Sequence, residues 1–207
     1  EPKKTREDIL LLSITNPSDL SVEELLYSAS LEENASRSLE IYTTAKDLHN
    51  DWRAYNNIAA YHLSKGNLDR AYEYLNKAKE NGVANESSVL TNLGIIASWN
   101  GELNKARNLF NKANTDPLNL AILDIRQGKY SSAADVLRGN SYNAALANIL
   151  NGNNNYTCIE NTAECFYLNA IAGARAGNET MLFTNLEKSI QKSETYIKEA
   201  LNDLEFE

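Results

Sequence analysis

The sequence predicts an all-α fold in which antiparallel helix hairpins stack side by side as an α-solenoid. One observation is a repeat with a period of 35 residues, carried by the pairs Gly66 and Gly101, Ala71 and Ala106, and Ala78 and Ala113. A fixed period of this length is typical of stacked repeat proteins. Another is composition, since three prolines and nine glycines among 207 residues, with 43% apolar residues, favour helix over strand. The third is that apolar residues recur at helical spacing within each copy.

Residues 1–50 are interpreted as a degenerate repeat in front of two clear ones. Residues 7–14 are strongly apolar, which indicates a short helix or a linker that docks on the next unit. Ser21 is expected to cap the following helix, and Glu24 completes a capping box. The second helix of this repeat is indicated by three residues that precede Ala71, Leu75 and Ala78 by 33 positions, namely Ser38, Tyr42 and Ala45.

Residues 51–115 contain the two clear repeats, and the first of them begins at Trp52 after a cap formed by Asn50 and Asp51. Its first helix ends at Gly66, which can adopt the left-handed conformation that turns the chain. The small residues expected where paired helices touch are Ala59 with Ala71 and Gly94 with Ala106. A larger side chain there would overpack the contact. One hairpin cannot bury both of its faces, so the next hairpin must cover it.

Residues 116–207 are predicted to hold shortened hairpins and a capping helix, which complete a single domain over 1–207. Pro117, at a first helical position, starts a helix that runs to Gln127 and is closed by Gly128. Further helices are expected over 142–150, 155–160 (short), 163–176 and 179–191.

The last two helices are expected to close the solenoid. The helix over 179–191 is expected to bury four apolar residues, Leu182, Phe183, Leu186 and Ile190. Ser193 is expected to cap a final helix that reaches Leu204. The polar outer face of that helix would suit the end of a solenoid.

Charge and hydropathy restrict the function. The formal net charge is −8 at pH 7, which argues against binding of nucleic acid or anionic lipid, because both require a basic patch. Apolar runs of about 18 residues are absent from the sequence, so we expect no direct membrane insertion. The chain starts at Glu1 without Met, as expected of a processed product or an excised segment.

The sequence predicts no enzyme, no cofactor and no metal site. His49 and His62 are the only histidines, and neither has a Ser, Cys or carboxylate at a spacing typical of a catalytic triad or a metal site. His62 is expected to be a structural residue that faces its partner helix. A Gly-rich loop before a Lys-Ser or Lys-Thr pair is also absent, so no phosphate-binding loop is predicted.

Cys158 and Cys165 are the only cysteines in the sequence. In one continuous helix their separation would be about 10 Å, too far for a disulfide. The helix break expected at Asn161 and Thr162 removes this objection. A disulfide would then hold the segment 155–160 against the next helix, and two independent buried thiols are the alternative.

The residues of both clear copies resemble the tetratricopeptide repeat. That family carries a small residue midway along its first helix, Gly at the turn, then Ala, an aromatic residue or Leu, and Ala in the second helix. The matching residues are Ala59, Gly66, Ala71, Leu75 and Ala78 in the first copy, and Gly94, Gly101, Ala106, Phe110 and Ala113 in the second. The resemblance implies a right-handed superhelix with a protein or peptide as its partner.

The resemblance also implies a concave groove lined by the first helices. Its residues would be Arg53, Asn56, Asn57, Ala60 and Ser64 in the first clear repeat, and Ser88, Thr91, Asn92, Ile95 and Trp99 in the second. Trp99 is the foremost candidate, because an exposed Trp is a common interface anchor, and packing against Tyr61 or the neighbouring hairpin is the alternative. Some family members bind a peptide C-terminal carboxylate in this groove. Here Asn57 and Asn92 fit that pattern, but Ala60 and Ile95 stand where a further Asn is required, and the matching Lys residues are absent. This departure argues against binding of a peptide carboxylate.

Several stretches are similar to the repeat region of exported cell-envelope proteins from Bacteroidetes, where that region forms a C-terminal part. They are 16–29, 51–57, 142–147, 151–153, 167–175 and 203–206. This resemblance implies a periplasmic or envelope location, which would permit a disulfide, although a cytoplasmic location is also compatible with the sequence. It implies a non-catalytic scaffold. The alternative is a structural spacer or a module that forms a homo-oligomer through an exposed apolar edge.

Overall fold

Regular structure in the described part of the chain is entirely helical. The computed structural model describes residues 3–81, 85–139, 141–153 and 157–206. These ranges contain two short 3₁₀ segments, Pro17–Asp19 and Leu204–Phe206, and no strand. Their α-helices are α1 (Arg6–Thr15), α2 (Val22–Leu31), α3 (Ala35–His49), α4 (Trp52–Ser64), α5 (Leu68–Glu80), α6 (Ser87–Trp99), α7 (Leu103–Ala113), α8 (Pro117–Arg126), α9 (Tyr130–Val136), α10 (Tyr142–Leu150), α11 (Ala163–Arg175), α12 (Glu179–Lys192) and α13 (Thr195–Ala200). The prediction of an all-α fold of the solenoid class is confirmed.

The chain divides into two compact units, Glu1–Thr115 and Asp116–Glu207. The division falls at the end of the two clear repeats, where the region predicted to hold shortened hairpins begins. The organisation of both units as a single domain over 1–207 stays a prediction.

In the first unit the predicted repeats form consecutive helix pairs, α2 with α3, α4 with α5, and α6 with α7. Gly66 has a φ of +71° and Gly101 a φ of +78°, so both clear repeats turn through the left-handed conformation that the sequence predicts. Ser21 and Glu24 form the predicted capping box at the start of α2. The four small residues predicted at the helix contacts are all buried, namely Ala59, Ala71, Gly94 and Ala106.

Gly94 fits against a large residue of the paired helix. A Cβ atom added at Gly94 would lie 2.5 Å from Cε1 of Phe110 and 2.6 Å from its Cδ1, and Phe110 is itself buried. The corresponding residues of the preceding repeat are Ala59 and Leu75, both fully buried. The sizes of the residues at these two positions are therefore matched within each repeat: the smaller Gly occurs with the larger Phe in one repeat, and Ala occurs with Leu in the other.

These matched sizes predict that a smaller residue at position 110 compensates for a larger residue at position 94. Gly94→Ala should destabilise the chain by about 2 kcal/mol, because the new methyl group overpacks a buried ring that has little room to turn. Phe110→Leu introduced into Gly94→Ala should recover stability, because the pair then equals the Ala–Leu pair of the preceding repeat. Urea denaturation of both single variants and the double variant gives the coupling energy, expected at about 1–2 kcal/mol. Additive effects of the two substitutions would contradict the paired-size interpretation.

In the second unit α8 pairs with α9 and α11 with α12, while α10 packs against both α9 and α11. Pro117 and Thr162 start or cap their helices as predicted. The core around α10 and α11 contains fully or nearly buried side chains, among them Ile149, Leu168 and Ile171. The described part of this unit thus keeps the hairpin architecture. Its first three helices are short, with 10, 7 and 9 residues in α8, α9 and α10. α11 and α12, with 13 and 14 residues, are as long as the 13-residue helices of the first clear repeat.

Three predictions for this unit are corrected. α8 ends at Arg126 rather than Gln127. Residues 157–160 are not helical, so the predicted short helix is wrong for that part, and Asn155 and Tyr156 lie outside the described residues. Phe183 is 62% exposed rather than buried. α12 meets α11 at the backbone of Leu182, and the next residue, turned by about 100° around the helix, faces elsewhere.

The predicted final helix is also shorter than expected. Ser193 ends α12 rather than capping α13, and Glu194 occupies the capping position. α13 stops at Ala200, and the chain then forms the 3₁₀ segment Leu204–Phe206. Leu201 and Leu204 are 81% and 76% exposed, so the apolar residues expected inside this helix lie at the surface.

Candidate functional site on the first helices of the clear repeats

The ten predicted groove residues lie on α4 and α6, the first helices of the two clear repeats. This set forms the groove face and consists of Arg53, Asn56, Asn57, Ala60, Ser64, Ser88, Thr91, Asn92, Ile95 and Trp99. Ala60, Ser64, Ser88 and Trp99 are exposed. Asn57, Thr91, Asn92 and Ile95 are half-buried. α4 contacts α6 directly, so these residues belong to adjacent helices.

Asn56 and Asn92 join the two helices. The side-chain Nδ2 of Asn92 donates to Oδ1 of Asn56 at 2.9 Å, and Asn56 is only 7% exposed. The sequence predicts Asn56 as an open binding residue of the groove. The structure instead places it between α4 and α6, where the hydrogen bond links the two helices that carry the groove face.

Arg53 is engaged in ion pairs. Its Nε and Nη2 donate to the two carboxylate oxygens of Asp51 at 2.8 and 2.9 Å, and Nη2 also donates to Glu23 at 2.9 Å. The hydrogen bonds to Asp51 and then to Glu23 raise the pKa of the Arg53 guanidinium. The hydrogen bond from Arg53 lowers the pKa of the Asp51 carboxyl. Because two carboxylates already compensate its charge, Arg53 is poorly suited to attract an anionic ligand.

Trp99 is the most exposed large side chain of the groove face, at 63% of its surface. This exposure does not fit the alternative made from the sequence, packing against Tyr61 or the next hairpin, and the role of Trp99 as an anchor for a partner stays a prediction. Trp99 is the last residue of α6, followed by the left-handed turn at Gly101. The indole is therefore presented at the C-terminal end of α6.

The second helix of the degenerate repeat also contributes to this region. Asn57, Ala60 and Tyr61 of α4 line a shallow cavity of about 240 Å³ together with four residues of α3, namely Ala35, Ser38, Leu39 and Tyr42. The groove prediction missed the α3 residues because it considered first helices alone. Their spacing of three, one and three residues places them on one helix face, a signal that the sequence does contain.

His62 lies between aromatic rings rather than in a polar site. It is 8% exposed, stacks on Tyr74 with ring centroids 5.6 Å apart, and meets the edge of Tyr61 at 5.5 Å. Burial lowers the pKa of its imidazole below the ordinary value of 6.5, and the charge of Arg70 lowers it further. The ring is therefore neutral near pH 7 and packs as a structural residue.

Cys158 and Cys165 are joined by a disulfide, with Cα atoms 5.4 Å apart. Asn169, a buried residue of α11 for which the sequence predicted no role, also binds the backbone of Cys158. Its Oδ1 accepts a hydrogen bond from the Cys158 N–H at 2.8 Å. Its Nδ2 donates to the Cys158 carbonyl at 2.9 Å. The one available signal was an amide residue within the apolar run of α11.

Metal-binding clusters and membrane spans are both absent from the described ranges. Among those residues there is no group of three or more His, Cys, Asp or Glu side chains placed to hold a metal ion. None of the helices described above combines the length and the apolar character needed to cross a lipid bilayer.

A solved structure of known repeat type resembles the chain over nearly its full length. A tetratricopeptide repeat protein from Parabacteroides merdae ATCC 43184 aligns with a TM-score of 0.61 and 15% identity, over 93% of this chain and 88% of that one. The fold is that of the tetratricopeptide repeat. A chain in the crystal structure of the APC/C hetero-tetramer Cut9–Hcn1 also has this fold, with a TM-score of 0.55 and 20% identity over 96% of the present chain.

The present chain spans 37% of the length of the Cut9–Hcn1 chain that it matches. No family model and no curated protein matches the sequence.

Proposed function

We propose that this chain is a non-catalytic scaffold that binds a protein or peptide segment on the groove face of α4 and α6. The observation that carries the proposal is the 63% exposure of Trp99 at the end of α6, on a face whose two helices are linked by the Asn56–Asn92 hydrogen bond. A Trp side chain has only two rotatable side-chain bonds, so it loses little conformational entropy when a partner covers it. The compensated charge of Arg53 favours a neutral or apolar ligand segment over an anionic one.

Loss of the anchor should weaken binding selectively. We expect Trp99→Ala to reduce retention of a partner co-purified from the native host by about tenfold or more, as for a central interface residue. Phe183→Ala is the matched control, because Phe183 is 62% exposed but belongs to α12 of the other unit. Quantitative pull-down with the unaltered chain and both variants gives the comparison. Equal retention by all three proteins would show that the groove face is not the binding surface.

The proposed setting is an exported protein of the bacterial periplasm or cell envelope, of the Bacteroidetes type indicated by the sequence. The disulfide supports this proposal, because such bonds persist in oxidising compartments and are rare in the reducing cytoplasm. Cell fractionation of the native host, with detection of the chain in periplasmic and cytoplasmic fractions, tests the location.

Self-association is the second candidate function. Leu11 and Ile14 of α1 are 62% and 66% exposed, so the first helix carries an apolar edge. Pairing of this edge with a second copy would bury both side chains. Light scattering over a range of protein concentrations separates the candidates, and a monomer at the highest concentration would remove self-association.

A further inference from the structure

The segment Asp203–Phe206, named the tail here, lies across α11 of the second unit. The Tyr167 hydroxyl donates to Oδ2 of Asp203 at 2.8 Å. The rings of Tyr167 and Phe206 meet edge to face, with centroids 5.5 Å apart. The Arg175 guanidinium donates through Nε and Nη2 to both carboxylate oxygens of Glu205. Three of the four tail residues are therefore bound by two residues of α11.

The Arg175 guanidinium is positioned by a group outside the tail. It lies 5.9 Å from the ring centroid of Tyr130, the first residue of α9, within the range of a cation–π contact. An Arg fork held in place in this way matches the two oxygens of a carboxylate and loses little freedom on binding. Tyr167 is likewise held, since it is 3% exposed and packs on Tyr196 with centroids 4.7 Å apart.

The tail is bound by its polar and aromatic groups rather than by its leucine. Leu204 is 76% exposed, and the preceding Leu201 is 81% exposed. A core element would bury such side chains, since each removes apolar surface from water. The pattern of contacts is that of a docked peptide, with ionic and aromatic residues facing the protein.

An open cavity lies beside the tail. It has a volume of about 660 Å³, lies between the tail, α10 and α11, and is lined in part by Leu146, Leu150 and Ile171. Arg126 of α8 also lines this cavity. The face that binds the tail is thus wider than the tail and includes apolar surface that a longer ligand could cover.

We propose that Tyr130, Tyr167 and Arg175 form a second binding site, for a peptide that carries two carboxylates and an aromatic residue in the spacing Asp-x-Glu-Phe. The tail is its built-in occupant, and a protein partner with such a segment binds by displacing it. Occupancy by the tail lowers the apparent affinity for a partner by the fraction of time that the site is open. This site does not rest on the proposed function of the groove face, which belongs to the other unit.

The test opens the site in the full chain and offers the tail sequence as a free peptide. The opened variant is Glu205→Ala with Phe206→Ala, and the probe is a fluorescein-labelled peptide Glu-Ala-Leu-Asn-Asp-Leu-Glu-Phe, which copies residues 199–206. Fluorescence anisotropy should show about tenfold or tighter binding to the opened variant than to the unaltered chain. Leu204→Ala is the matched control and should bind the probe no better than the unaltered chain.

Further variants and a changed probe test whether the binding is specific to this site. Arg175→Ala in the opened variant should abolish the gain, and a probe with Lys in place of its Glu before Phe should bind about tenfold more weakly. Trp99→Ala should leave probe binding unchanged, which separates this site from the groove face. Phe206→Ala alone serves as a milder opening and should give an intermediate affinity.

Circular dichroism of every variant shows whether the tail is instead a part of the core. Equal probe affinity for the opened variant and the unaltered chain would overturn the proposal. Loss of helical structure in both the opened variant and Phe206→Ala would also overturn it, because the tail would then be required for folding and could not be displaced.

Discussion

Gly173→Ala is expected to destabilise the chain by about 3 kcal/mol, although alanine is the better helix former. A Cβ atom at residue 173 would lie 2.6 Å from the backbone N of Leu182 and 3.1 Å from its Cα. That N–H already donates to the Asn178 carbonyl in the first turn of α12, so it cannot shift alone. The whole start of α12 must move away from α11. Overpacking of this kind exceeds the gain of about 1 kcal/mol in helix propensity.

Urea denaturation of Gly173→Ala and the unaltered chain measures this effect. Gly94→Ala is the natural comparison, because its new methyl group meets a side chain rather than a backbone. Phe110→Leu should relieve the cost at residue 94, whereas Leu182→Ala should not relieve the cost at residue 173, because the clashing atoms belong to the backbone. A stability of Gly173→Ala within about 0.5 kcal/mol of the unaltered chain would show that α11 and α12 can separate freely.

The contrast between these glycines shows what the sequence could and could not predict. The 35-residue period identifies Gly94 and Ala59 as equivalent small residues at a helix contact. The sequence pairs Gly94 with Ala106, however, whereas Phe110 provides the atoms nearest to a Cβ at residue 94. Gly173 stands in the interior of a helix outside the clear repeats. The atoms that it contacts belong to the backbone of Leu182 in the next helix. A contact with backbone atoms cannot be recognised from the type or the spacing of the side chains.

The sequence could predict which helices carry the residues of the groove face, but not which hydrogen bonds and ion pairs those residues form. The period places Asn56 and Asn92 on adjacent first helices, but the hydrogen bond between them depends on the angle at which the helices pack. Arg53 was expected to face a ligand, yet it pairs with Glu23 of the degenerate repeat, where the period is only approximate. Repeat spacing predicts which helices meet and leaves the choice of side-chain partners to local geometry.

The C-terminal part was the least predictable, because its apolar residues do not follow one buried stripe. Leu201 and Leu204 fit a helix pattern but are exposed, whereas Tyr196 is buried. The chain leaves the helix after Ala200, and the contacts of Asp203 and Glu205 with α11 take the place of a packed apolar face. Such long-range polar contacts are not visible in hydrophobic periodicity.

Reduction of the disulfide is expected to lower the free energy of unfolding by about 2.5 kcal/mol. Cys158 and Cys165 are seven residues apart, and closing a loop of this length restricts the unfolded chain by about that amount. In the folded state the segment keeps its place, because both backbone groups of Cys158 remain hydrogen-bonded to Asn169. Reduction should therefore act mainly on the unfolded state, and the helical circular dichroism of the folded protein should stay unchanged.

Urea denaturation with and without a thiol reductant provides the measurement, and the double variant Cys158→Ala with Cys165→Ala provides the control. The double variant should be insensitive to reductant and should unfold near the reduced chain, apart from a small cost for the volume lost at Cys165, which is 2% exposed. Identical unfolding curves for the oxidised and reduced chains would contradict this prediction, because they would mean that the disulfide does not restrict the unfolded chain. The Asn169 hydrogen bonds cannot restrict the unfolded chain, since they exist only in the folded state. The disulfide alone should therefore account for the difference in stability between the oxidised and reduced chains.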